Sequence, residues 1–204
     1  MSIVKLNNRG VRSVTAFGSV GSGAMTFIKK LTASSSANLS FVDGSSDVVL
    51  DNTYKEYLFT FKNIHPATNN THLMVNFRDG GSDYDATKTT TVFYAYHDES
   101  DSEASAIYST GSDLAQSTSA QRLTGGTGNV ADESASGTLH LFNPSSTTFV
   151  KHFISRSSTY NHSNYANDWY VGGYCNVTAA IDGVQFSMSS GNIDAGDICL
   201  YGIN

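Results

Sequence analysis

Apolar and polar residues alternate along most of this chain with the two-residue period of β-strands. In YLFTFKNI (57–64), Tyr57, Phe59 and Phe61 face one way while Thr60 and Lys62 face the other; in HLMVNFR (72–78), Leu73, Val75 and Phe77 alternate with His72, Asn76 and Arg78. Both patterns predict strands with one face in a core. Eight further segments share this character: TFIKKL (26–31), NLSFV (38–42), TTTVFYAY (89–96), GTLHLFN (137–143), TFVKHFIS (148–155), WYVGGYCN (169–176), GVQFSMS (183–189) and DICLYGI (197–203). Clusters of Gly, Asn, Asp and Ser divide them, and no run has a convincing helical period. Such a series predicts an all-β chain, a β-sandwich of the jelly-roll type. The inward positions place Phe59, Phe61, Leu73, Val75, Leu139, Leu141, Phe153, Val184, Phe186, Ile198 and Leu200 in one core. In the last segment Ile198, Leu200 and Gly202 alternate with Asp197, Cys199 and Tyr201, and an apolar strand in that place calls for a partner inside a sheet or on a neighbouring subunit.

Two stretches break the alternation. Residues 97–137 are polar and acidic, with only Ile107, Tyr108, Leu114 and Leu123 to bury, and read as a long loop holding at most one short strand or helical turn. Loops of that length inside a compact domain usually serve a function or contact a neighbour. The first 25 residues carry Val11, Val14, Phe17 and Val20 at intervals of three, with Arg9 and Arg12 beside them and the Gly-Ser run GSVGSG behind. Four sparse apolar side chains are too few for a core and too many to leave in water, so residues 1–25 are expected to form an attachment arm. The sandwich is then expected to occupy 26–204.

Composition narrows the partners. The 204 residues are 39% hydrophobic and only 15% charged, with twelve basic against eighteen acidic side chains and a net charge of -6. That balance argues against a nucleic-acid backbone and against an anionic membrane surface. No run approaches the length of a membrane helix, and the first residues lack the apolar centre and cleavage site of a secretory signal. Cys175 and Cys199 lie in strand-like segments away from any CxxC or zinc spacing, and buried free thiols are the expected state.

Strong catalytic signatures are missing, and no cofactor is implied. GTGNVA (126–131) fits a dinucleotide motif formally, but no strand precedes it. Asp79, Asp83 and Asp85 read as a solvated turn rather than a calcium loop, and the six scattered histidines as surface or cross-strand residues rather than metal ligands. The stretch that points to binding is STYNHSNYANDWYVGGY (158–174), where Tyr160, Tyr165, Trp169 and Tyr170 stand among Ser, Asn and Gly. Rigid aromatics with short polar neighbours suit adaptable recognition, and flat ring faces suit sugars, so these four are the glycan-binding candidates. Internal packing of Trp169 and Tyr170, or packing at a subunit contact, is the competing account.

VKLNNRGVRSVTAFGS near the start, KEYLFTFKNIHPAT (55–68), LFNPSSTTFVKHF (141–153) and FSMSSGNIDAGDICLYGIN (186–204) resemble the virion structural proteins of tailed phages that infect marine cyanobacteria and other marine bacteria. The resemblance spans nearly the whole chain. It implies a non-enzymatic jelly-roll module of a tail or neck fibre, or of a capsid decoration, assembled in the host cytoplasm and found in the virion. Its implied partners are other virion structural proteins, sister subunits in a homo-oligomer with a trimer favoured, and host surface glycan. The family has no assigned catalytic residues, so none carries over. A free carbohydrate-binding lectin domain is the alternative, and a polysaccharide-degrading enzyme a more distant one.

Overall fold

The computed structural model describes residues 24–204. The arm residues Arg9, Val11, Arg12, Val14, Phe17 and Val20 lie outside the described residues. Among the described residues there is no helix; the chain forms twelve strands. These are β1 (Met25–Ser36), β2 (Asn38–Val42), β3 (Glu56–Pro66), β4 (Leu73–Arg78), β5 (Lys88–Asp98), β6 (Ala104–Tyr108), β7 (Gln121–Arg122), β8 (Ala135–Phe142), β9 (Lys151–Asn161), β10 (Tyr165–Cys175), β11 (Gly183–Met188) and β12 (Ile193–Ile203). The first begins at Met25, just inside the span expected for the arm.

All pairings are antiparallel and form two sheets, an eight-stranded one in the order β1-β12-β3-β8-β9-β10-β5-β6 and a four-stranded one in the order β2-β11-β4-β7. Alternate residues of the two sheets meet in one core, as the sequence pattern requires. Phe59 of the large sheet touches Phe41 of the small sheet edge-on and Phe186 of the same sheet at a tilt, with ring centroids 5.3 and 5.5 Å away, and Phe77 meets Phe153 at 4.9 Å. All eleven residues expected in the core are buried there. β12 lies inside the large sheet, hydrogen-bonded to β1 on one side and β3 on the other, so its backbone groups are satisfied on both edges.

The segment 97–137 departs from expectation. It contributes two short strands, and Ile107 and Tyr108 of β6 stay exposed while Gln121 to Gly128 are almost wholly buried. Hydrogen bonding explains the burial of so polar a run: Thr124 Oγ1 accepts from the Leu73 amide at 2.9 Å, and Thr71 and Thr127 exchange backbone bonds at 3.1 and 2.8 Å. Small residues with satisfied polar groups fill this space at little desolvation cost.

Candidate functional site

The aromatic stretch around 158–174 is a hairpin, β9 and β10 joined by a turn in which Asn164 takes φ +64° and Asn161 accepts from the Ser163 amide at 3.0 Å. Strand geometry then separates the four candidate residues. Tyr165 and Trp169 point to the inner face of the large sheet, whereas Tyr160 and Tyr170 point to the outer face. They do not form one surface, because neighbours at odd and even positions of a strand lie on opposite sides.

On the inner face Trp169 and Tyr165 meet rings from β5. Trp169 stacks on Tyr94 at 4.7 Å with planes 13° apart; Tyr94 lies 6.2 Å from Tyr96, and Tyr96 meets Tyr165 edge-on at 5.3 Å. The pairing register extends the row to Ile107 of β6, opposite Tyr94. The small sheet stops short of this flank, so the four rings form the floor of a groove of about 450 Å³, within the size range of small-ligand sites. Arg122, Gly125, Gly126 and His72 line it together with Asn161, His162, Ser163 and Asn70, and the His162 amide donates to the Gly126 carbonyl at 3.1 Å, which joins the two segments. A side chain at Gly125 would meet Asn167 Oδ1 and one at Gly126 would meet Asn70 Oδ1, so only glycine lets this stretch close against the amides.

Trp169 is 4% exposed, and the half-buried Tyr165 is the more accessible of the two. Trp169 Nε1 is buried and has no hydrogen-bond acceptor among the described residues. Tyr165 donates its hydroxyl to Glu103 Oε2 at 3.1 Å, which raises its pKa. His72 Nδ1 lies 3.1 Å from the Thr124 carbonyl and His162 Nδ1 3.3 Å from the Gly126 carbonyl, contacts that assign a proton to Nδ1 in both rings. Burial, and then the charge of Arg122, lowers the His72 pKa and keeps that ring neutral. Glu103 is the only carboxylate among the described residues that line the groove.

On the outer face Tyr170 stacks on Phe93 at 4.6 Å with planes 7° apart, and the Arg156 guanidinium sits 4.9 Å from the Tyr170 ring centre. Arg156 in turn grips Asp168 through two bonds of 3.0 and 2.6 Å, and Tyr170 donates to the same carboxylate at 2.8 Å. The polar groups of Tyr170 are thus engaged by its own sheet, which fits the packing account better than the binding one. Tyr160 turns outward beside the hairpin turn, its hydroxyl 3.4 Å from Asn164 Oδ1.

Tyr94, Tyr96, His72, Arg122 and His162 belong to the groove but were not among the candidates named from the sequence. The first two carried a signal: VFYAY places Tyr94 and Tyr96 on one face with the same period as Tyr165 and Trp169. His162 lies inside the stretch 158–174 singled out for binding, whereas His72 and Arg122 carried no signal, since they sit in segments far from it in the chain. No group of three or more His, Cys, Asp or Glu able to hold a metal occurs among the described residues. Both cysteines are free and buried, and burial pushes the Cys175 thiol up to about 12, which removes it as a nucleophile at neutral pH. Comparison with protein-family models, curated proteins and solved structures gives no match for this chain.

Proposed function

We propose that the chain is a non-enzymatic structural module of a phage particle, a tail or neck fibre or a capsid decoration of jelly-roll type, that contacts surface glycan through the groove floored by Trp169, Tyr94, Tyr96 and Tyr165. The observation that carries the glycan contact is this floor, four rings in a concave site whose rim is made of amides, imidazoles and one guanidinium. Apolar ring surface packs against the C–H groups of sugars, and short polar groups at the rim match hydroxyls. A single lining carboxylate favours binding over glycoside hydrolysis, which takes two across the scissile bond. The particle assignment, with its homo-oligomer and its virion partners, rests on the resemblance of the quoted segments.

Trp169 is the only tryptophan in the chain, so its fluorescence reports on the groove directly. Titration of the full chain with polysaccharide fragments from a bacterial envelope is expected to change that emission. Tyr96→Ala is expected to weaken the response about three- to tenfold, the value of one aromatic contact, while Tyr170→Ala leaves it unchanged. The opposite ranking would move recognition to the outer face. Antibodies against the chain should decorate intact particles at a fixed location; glycan binding without particle labelling would favour the free lectin.

A further inference from the structure

Three arginines lie among the described residues, and two have carboxylate partners: Arg78 donates to Asp182 at 2.8 and 3.0 Å, and Arg156 grips Asp168. Arg122 differs. Its Nη1 donates to Ser112 Oγ at 3.1 Å, and no carboxylate pairs with it among the described residues. The pKa values follow the same division: the carboxylates raise Arg78 and Arg156, whereas burial lowers Arg122 with no opposing anion. A half-buried guanidinium loses hydration without recovering it from a partner, and this one lines the aromatic groove with most of its donor fork uncommitted.

We infer that the groove takes an acidic sugar, its carboxylate held by the Arg122 guanidinium while its ring lies on the aromatic floor. This rests on the glycan reading given above. A planar carboxylate matches two parallel N–H donors of the fork, a geometry that a hydroxyl cannot reproduce. The neutral His72 beside it presents an Nε2 acceptor suited to the hydroxyls of the same sugar and does not compete for the anion, and His162 lines the same groove. Glu103 is tied to the Tyr165 hydroxyl. The net charge of -6 opposes an acidic polysaccharide at long range, but salt screens that field beyond about 8 Å at 0.15 M, so the contact at Arg122 decides.

The test uses the full chain, an oligouronate and the same oligosaccharide with its carboxylates reduced to alcohols, followed by Trp169 fluorescence and calorimetry. The oligouronate is expected to bind about tenfold tighter than its reduced twin, the ratio one charge-assisted hydrogen bond carries. Arg122→Gln should bring the two ligands to equal affinity without abolishing binding of the reduced one, and Arg122→Lys, which keeps the charge but loses the fork, should retain part of the preference. Equal affinities in the unaltered chain, or a preference that survives Arg122→Gln, would overturn the assignment and leave the glycan reading standing. If neither saccharide nor any envelope fragment binds, the glycan reading fails and this inference falls with it.

Discussion

Phe59→Ala tests the core that joins the two sheets. The Phe59 ring is fully buried and wedged between Phe41 of β2 and Phe186 of β11, with centroids 5.3 and 5.5 Å away and planes 73° and 58° apart. Removing it costs the transfer free energy of the ring plus a cavity that partners held in the facing sheet cannot easily close, about 3 to 5 kcal/mol. The two lost ring contacts, about 0.5 to 1.5 kcal/mol each where measured separately, place the value in the upper half of that range. Set against a typical total of about 5 to 15 kcal/mol, this is a large fraction of the stability. Equilibrium unfolding in urea reads it directly, since with a slope of about 2 kcal/mol per molar the midpoint falls by about 2 M. Phe93→Ala is the matched control: the same side chain is 49% exposed on the outer face, where it loses mainly its stack with Tyr170. Its cost should stay below about 2 kcal/mol. If Phe59→Ala cost no more than Phe93→Ala at an unchanged slope, the sheets would not be packed face to face at this point.

Gly137→Ala should destabilise by about 1 to 3 kcal/mol through overpacking, because a Cβ there would meet the Arg156 carbonyl and lie 2.8 Å from two carbons of the Phe61 ring; a melting temperature equal to that of the unaltered chain would refute the close approach of β8 to that ring. Lys88 is fully buried, its ammonium donating to Ala86 and Thr118 carbonyls and to Asn76, and burial lowers its pKa from an ordinary 10.5 to about 8. Above about pH 8 the unfolded chain therefore holds a proton that the folded chain has released, so stability rises with pH. The rise is partly offset as the pH approaches 9, where the unfolded thiol is half ionised and Cys175, held as a thiol in the fold, works in the opposite direction. Denaturant titrations at pH 8 and 9 should give a smaller increase for Lys88→Met than for the unaltered chain; equal increases would remove Lys88 as the source.

The groove shows where local pattern stops being informative. The two-residue alternation of Tyr165, Trp169, Tyr94 and Tyr96 was visible in the chain and places each ring on one side of its own strand. That β5 and β10 lie side by side, in a register that sets Trp169 opposite Tyr94, is a property of pairing between distant segments. Taken as a linear stretch, Tyr160 and Tyr170 looked like neighbours of Trp169; the pleat sends them to the far face.

Alternation is local, because each side chain needs only its own strand to know which way it points, and this is why the ten strand segments and the eleven core residues could be named from the chain alone. Exposed β6 and the two-residue β7 carry no such period, since all five residues of one are solvent-facing and the other is held by its pairing with Met74 and Val75. The burial of Gln121 to Gly128 depends on hydrogen bonds to partners more than thirty residues away, among them the Leu73 amide, the Thr71 backbone and Thr90 Oγ1. Arg122 lines an aromatic groove with no carboxylate partner among the described residues for the same reason: its surroundings come from Asn70, Tyr94, His162 and Trp169, brought together by sheet order and register rather than by any pattern within a strand.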